Sequence, residues 1–300
     1  MGVYLSQPNT DKDSEEGSFK QLKYVASSMQ GWRTNMEDAH IMDANIAEDT
    51  AVFGVFDGHG GKEVAKFVKN HFVEELKKNK QFQAQNFKDA LYETFLKMDQ
   101  LLQTEEGKKE LNQIKSGDSG YQTDSYAGCT ANVSLIHKNT IYCANAGDSR
   151  SVLSRNGNMI ELSFDHKPDH EKEKNRVTNA GGFVSDGRIN GNLNLSRAIG
   201  DLEYKRNNEL KVNEQLIIAC PDIEIKQLTD EDEFILMGCD GIWETKTNQE
   251  LITFVREKLQ SKKSLTEIIE NMLDTILAPD TSNGYGCDNM TAVIITLRDL

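Results

Sequence analysis

The chain is predicted to fold as an α+β protein whose sheets are antiparallel. Two turn dipeptides, Asn156-Gly157 and Asp186-Gly187, sit between strand-like runs. A two-residue hairpin of that kind pairs its strands antiparallel. Amphipathic helical patterns group in the first third of the chain and near its end, with apolar runs of strand length between them. That segregation is the mark of an α+β layering, not of a doubly wound parallel sheet.

Taken in order, residues 1–19 read as a flexible N-terminal arm, because 7–18 (QPNTDKDSEEGS) are almost wholly polar. A single domain is expected over 20–300. A short strand is predicted at Tyr24–Ser27 and another over His40–Ile46. The run Ala51–Phe56 is unbroken in apolar character, and so reads as a strand buried on both faces. Gly61–Asn79 repeats apolar residues at Val64, Val68, Phe72 and Leu76, and Asn86–Gln103 does so from Phe87 to Leu102. Both are helices by that period. Residues 104–126 lose periodicity and are expected to form a surface excursion. Strands follow at Gly128–Ile136 and Thr140–Ala146, and then a hairpin over Ser151–Leu162. A short charged helix, Asp169–Ala180, ends at Gly181-Gly182. Strands resume at Gln215–Ala219, Ile223–Gln227 and Glu233–Cys239. Two helices open with the capping-box patterns Thr247-x-x-Glu250 and Ser264-x-x-Glu267. An apolar strand, Met290–Leu297, closes the chain.

Charge narrows the function classes. Lys and Arg number 34 against 48 Asp and Glu, a net charge of −14, which opposes recognition of nucleic acid through the overall field. No run approaches the roughly 20 apolar residues of a membrane span. The 5 cysteines are odd in number and widely spread, a pattern of reduced thiols in a cytoplasmic setting. Cys143 lies one residue too far from Arg150 to begin a Cys-x5-Arg phosphate loop, so a thiolate nucleophile has no support. The opening Met1-Gly2-Val3-Tyr4-Leu5-Ser6 matches an N-myristoylation pattern at Gly2. One acyl chain would give reversible, peripheral membrane association. A monomer is the expected state.

The acids at strand termini form a pattern of their own. Asp57 follows the run 51–56 and Asp240 follows 234–239, while Asp288 precedes 290–297 and Glu37-Asp38 precede 40–46. In antiparallel sheets the end of one strand lies beside the start of the next, so these acids can converge on one edge. Carboxylates so gathered repel one another unless a cation sits among them. An all-oxygen ligand set favours Mg²⁺ or Mn²⁺ over zinc. The competing explanation is that loops in an acidic protein are acidic, but it does not explain why each acid abuts a buried strand.

Eight motifs then occur in one order: RxxMED at Arg33–Asp38, DGHGG at Asp57–Gly61, GCTA at Gly128–Ala131, AGDSR at Ala146–Arg150, HKPDxxxExxR at His166–Arg176, SRAIGD at Ser196–Asp201, CDGIWE at Cys239–Glu244 and DNMT at Asp288–Thr291. Together they resemble the metal-dependent serine/threonine protein phosphatases of type 2C. The resemblance implies a four-layer α-β-β-α sandwich, two central antiparallel sheets flanked by helices, and two Mg²⁺ or Mn²⁺ ions at one end of it. It implies that Asp57 bridges the ions and that the Gly58 carbonyl binds one. Asp240 and Asp288 would bind the other, with Glu37 and Asp38 acting directly or through water. A third, weaker ion would use Asp148 with Asp240, with a turn aspartate bonding its own backbone as the alternative for Asp148. Arg33 would clamp the phosphate, and His59 would protonate the departing oxygen, with a metal-ligand or turn role as its alternative. A metal-activated water would attack phosphorus directly, with no phospho-enzyme. Substrates would be phosphoserine and phosphothreonine proteins. The flap, about 165–201, holds Arg176 and Arg197, which either touch substrate or pair within the flap. Cys129 stands where serine is commoner in the family and Glu244 where aspartate is; neither is assigned chemistry. The other-class reading is a phosphoprotein-binding pseudophosphatase adaptor, which the intact acids oppose.

Overall fold

Alternation along one strand sets the layers. In Thr50–Phe56 every residue is buried. Ala51, Phe53 and Val55 join one hydrophobic core, and Val52 and Phe56 join a second. Successive side chains of a strand point to opposite faces, so such a strand must be covered on both. The sequence expectation for this run holds for that reason. The structure is a computed structural model that describes residues 4–116, 126–298 and 300.

The first core lies between two antiparallel sheets and extends under the C-terminal helices. The six-stranded sheet runs in the order Tyr4–Phe19, Leu22–Arg33, Met290–Thr296, Asp232–Gly238, Arg150–Arg155, Asn158–Glu161. The five-stranded sheet runs Asp222–Gln227, Thr140–Ala146, Ala131–His137, Thr50–Phe56, Ala39–Ala47. Tyr24 of the first meets Phe53 of the second edge-on, with ring centroids 5.2 Å apart. The second core joins the five-stranded sheet to helices Glu63–Lys78 and Phe87–Leu102, where Phe72 stands between Phe56 and Phe95. Helices Asn248–Gln260 and Leu265–Ile276 cover the other sheet. The result is the expected α-β-β-α sandwich.

Local signals are visible in the backbone. Asn156 and Gly157 have φ of 49° and 79°, the type I′ pair that turns Arg150–Arg155 into Asn158–Glu161. Thr247 and Glu250 form the reciprocal capping box. At Ser264 the side chain accepts from the Glu267 N–H.

Three expectations require correction. The segment read as a flexible arm is a strand, Tyr4–Phe19, paired with Leu22–Arg33. Its side chains are polar because it is an edge with one face toward solvent, and its ladder needs only backbone. Side chains add ties to the helix behind: Lys12 pairs with Asp274, Ser14 donates to Glu270 (2.6 Å), and Thr266 donates to Glu16 (2.6 Å). Within the supposed surface excursion, Glu105–Ser116 is a helix. It docks by Leu111 on the second core, an apolar face too sparse to register as periodic; residues 117–125 lie outside the described residues. Finally, 215–219 forms no strand, only an isolated bridge from Ile218 to Arg197.

Candidate metal centre and catalytic site

The site forms where the chain crosses from one sheet to the other. Leu22–Arg33 in the six-stranded sheet is followed by Ala39–Ala47 in the five-stranded one, and the crossing loop carries Glu37 and Asp38. Thr140–Ala146 crosses back to Arg150–Arg155 through a loop that carries Asp148. Asp57, Asp240 and Asp288 adjoin strand ends at this same edge, because Ala39 pairs with Phe56, and Gly238 with both Ala292 and Arg150. The sequence argument from strand termini is thereby realised in register.

Backbone contacts hold the loops together. Asn289 accepts from the Glu37 N–H (3.0 Å) and donates to the carbonyls of Gln30 and Asn35 (2.9 Å each). Asp288 is thus stitched to the Glu37-Asp38 loop. Thr130 accepts from the Asp57 N–H (3.1 Å), and its own N–H donates to the Asp57 carbonyl (2.9 Å). Gly58 and Gly241 permit the approach: a Cβ would fall 2.4 Å from the Glu37 carbonyl oxygen at the first and 2.2 Å from that of Asn289 at the second. The glycine beside each acid is required by neighbouring backbone.

Oxygen donors gather in two groups. Asp38 and Asp57 lie with Cys239, and Asp240 lies with Glu244 and Asp288, each group offering ligand atoms within 4.8 Å of one another. Both oxygens of Asp38 are buried without a hydrogen-bond partner. Burial pushes the Asp38 carboxyl up to about 7, with the charge of Asp288 adding to it. Burial and then neighbouring acids push Asp57 and Asp240 well above the ordinary carboxylate range. Acids so crowded, with lone pairs unmet, fit a divalent cation between them. Glu244 was assigned no chemistry from sequence, yet it joins the second group. Its place four residues after Asp240, on the same face of one helical turn, was the signal. Cys239 is a poorer donor: its thiol is buried, pushed well up, and donates to the Asn289 carbonyl.

The other predicted residues border a cavity of about 210 Å³, which Arg33, His59, Asp148 and flap residues Asn194 and Leu195 line with Glu37, Asp57, Asp240 and Asp288. Arg33 pairs with Asp288 at 2.5 Å, while its Nε is buried and unpartnered. Lys167, unmarked by sequence reasoning, pairs with Asp148. The flap arginines are turned inward. Arg197 binds Glu173 and Asp222, and Arg176 binds Glu173 and the carbonyls of Ser196 and Gln215. They pair within the fold and do not reach the cavity. Gly2 lies outside the described residues.

A family profile, Protein phosphatase 2C, matches residues 22–284. The chain belongs to the protein phosphatase 2C family. It is 60% identical over 302 residues to "Protein phosphatase 2C 1" of Paramecium tetraurelia, covering 99% of this chain and 100% of that protein. It is 42% identical to "Probable protein phosphatase 2C 21" of Arabidopsis thaliana, covering 99% of this chain and 93% of that one. Among solved structures, a phosphatase from Toxoplasma gondii superposes with a TM-score of 0.77 at 22% identity, covering 97% of this chain and 96% of the other. That likeness shows a shared fold. As a member of the 2C family the chain is a protein phosphatase, and no helix among its described residues is long and apolar enough to cross a membrane.

Proposed function

We propose that this serine/threonine protein phosphatase is a Mg²⁺- or Mn²⁺-dependent enzyme that hydrolyses phosphoserine and phosphothreonine in proteins. The observation that carries the metal dependence is the pair of orphaned Asp38 oxygens among buried acids. Asp57, the Gly58 carbonyl, Asp38 and Glu37 would hold one hard cation, and Asp240, Asp288 and Glu244 a second, with Asp57 between them. When bound, two such ions supply a water of lowered pKa and a neutralising field for the phosphate, so no phospho-enzyme is needed. Arg33 lines the cavity, and a guanidinium suits a phosphate dianion. His59 donates a proton to the departing seryl or threonyl oxygen. Its imidazolium is favoured: burial alone would lower its pKa, and the Asp201 carboxylate overrides this and raises it. Asn194 and Leu195 bring the flap to the cavity mouth, where it would meet the phosphoprotein. The enzyme acts as a monomer, with a Gly2 acyl group giving reversible membrane contact.

The test is phosphate release from a phosphothreonine peptide with Mg²⁺ or Mn²⁺, then with chelator. Release that persists in chelator would sink the metal reading. Asp57→Asn should bring both turnover and the calorimetric signal of Mn²⁺ binding to background while the circular dichroism of the fold survives.

A further inference from the structure

We propose that Asp201 is a positioning residue that fixes which nitrogen of His59 faces the phosphate. This rests on the reading of His59 as the proton donor, and goes beyond it by naming what holds the ring.

A small three-stranded sheet exists beside the cavity, built from Gly58–His59, Gly128–Cys129 and Ile199–Gly200. Its register pairs His59 with Gly128, and Gly128 with Gly200. Three loops distant in sequence are thereby fixed side by side, and Asp201 emerges directly after the last. Its Oδ2 stands 2.7 Å from His59 Nε2. Asp201 is 2% exposed, so water competes little for that bond.

The surroundings are shaped to permit this contact. A Cβ on Gly128 would fall 2.4 Å from Asp201 Oδ2 and 2.6 Å from His59 Nε2. Only a glycine leaves room for the bond to form. Asp201 itself lies in the left-handed region, with φ 48° and ψ 40°, a conformation unfavourable for L-residues and less so for Asp. Its backbone is held there by N–H donation to the Ala127 carbonyl (3.2 Å) and by its carbonyl accepting from Tyr204 (2.9 Å). One residue earlier, the Gly200 N–H donates to Asp99 (2.8 Å), which also accepts from Lys205 (2.6 Å). The loop is thus clamped to helix Phe87–Leu102 before it presents its carboxylate.

With Nε2 committed to Asp201, Nδ1 is the nitrogen left to a group in the cavity. A carboxylate behind an imidazole fixes ring orientation and which nitrogen bears the inner proton. The donated proton therefore leaves from Nδ1, and the ring stays bound to Asp201 through Nε2–H.

The experiment compares a phosphothreonine peptide with p-nitrophenyl phosphate, whose leaving group departs without a proton, in Asp201→Ala, Asp201→Asn, Gly128→Ala and His59→Ala proteins loaded with Mn²⁺. Asp201→Ala should lower kcat on the peptide by about 10–100-fold, a part of what a general acid supplies. KM, kcat on p-nitrophenyl phosphate and Mn²⁺ affinity should stay near wild type. Gly128→Ala, which displaces the ring without removing either partner, should repeat the selective loss. In a His59→Ala background Asp201→Ala should cost nothing further, since two residues acting as one unit are not additive. In ¹⁵N spectra, wild-type His59 should carry its proton on Nε2 when neutral, and Asp201→Ala should abolish that preference. Equal losses on both substrates, or additive losses in the double variant, overturn the inference while leaving the role of His59 intact. If His59→Ala itself fails to discriminate the substrates, the proton-donor reading falls and this inference falls with it. Should Asp201→Ala fail to fold, Asp201→Asn and Gly128→Ala decide.

Discussion

The ammonium of Lys167 rests on the Asp148 carboxylate, so a cation arriving at this acid displaces one already tethered there. Burial works against the Lys167 charge, and Asp148 outweighs it and raises the pKa. If Asp148 takes a third ion, Lys167→Met should tighten the weakest of the Mn²⁺ binding events by about tenfold, a difference of roughly 1.4 kcal/mol. Calorimetric titration reads this directly, and unchanged affinity would mean that the ion does not use Asp148. The residues expected to bear chemistry were legible in the sequence: Glu37, Asp57, Asp240, Asp288, Arg33 and His59 border the cavity, and Asp38 is buried beside Asp57. What was not legible is pairing. Asp201 on His59 and Lys167 on Asp148 join residues 142 and 19 positions apart, and no local pattern encodes such a contact.

At the scale of elements, the flap combines a small apolar core of Val177, Ile189, Leu195, Ala198 and Ile217 with a network of buried charges. Glu173 lies buried at the centre, receiving Arg197 and Arg176, and Asp222 receives Arg197, Lys172 and His166. Burial alone would raise the Glu173 carboxyl, but Arg197 and Arg176 hold it at about 2, below its ordinary value of about 4.3. The sign follows from linkage. A carboxyl depressed in the folded state contributes stability that is complete above about 4.3 and is lost as pH falls toward 2. Amide protection of helix Glu171–Asn179, corrected for intrinsic exchange, should therefore fall across that window before the central sheets lose theirs. Glu173→Gln should lower protection at neutral pH as well, by up to about 3 kcal/mol, because Arg176 loses its carboxylate and Arg197 keeps only Asp222. Protection that is indifferent to both changes would refute a charge-held flap. The ExxR half of the flap motif is this ion pair, so its sequence signal was structural and not substrate-facing. The N-terminal strand was illegible for a different reason. Tyr4–Phe19 is polar, and composition reports side chains, whereas an edge strand is recruited through its backbone by the neighbour it covers.

Across the whole molecule, the longest-range pairing is also central. Met290–Thr296 sits inside the six-stranded sheet between Leu22–Arg33 and Asp232–Gly238, so the end of the chain is a structural interior. A chain ending at Gly286 lacks this strand and Asp288 together. It should show no cooperative thermal transition by circular dichroism, and no shift in stability with Mn²⁺. A cooperative melt that Mn²⁺ raises would count against the strand's organising role. The α+β class and most of the element order were readable from period and turns, since those are local. The division into two sheets was not, because the loops at 34–38 and 147–149 that cross between them look like any other polar connection.

Those crossing loops and the late strand have a consequence for biosynthesis. At about 5–20 residues per second, a ribosome spends roughly 15–60 s on the 300 residues. Glu37, Asp38 and Asp57 emerge early, but Asp240 and Glu244 follow only about 180 residues later, and Asp288 comes in the last tenth of the chain. If Asp288 holds a cation, a product truncated short of it should show no Mn²⁺-dependent phosphate release.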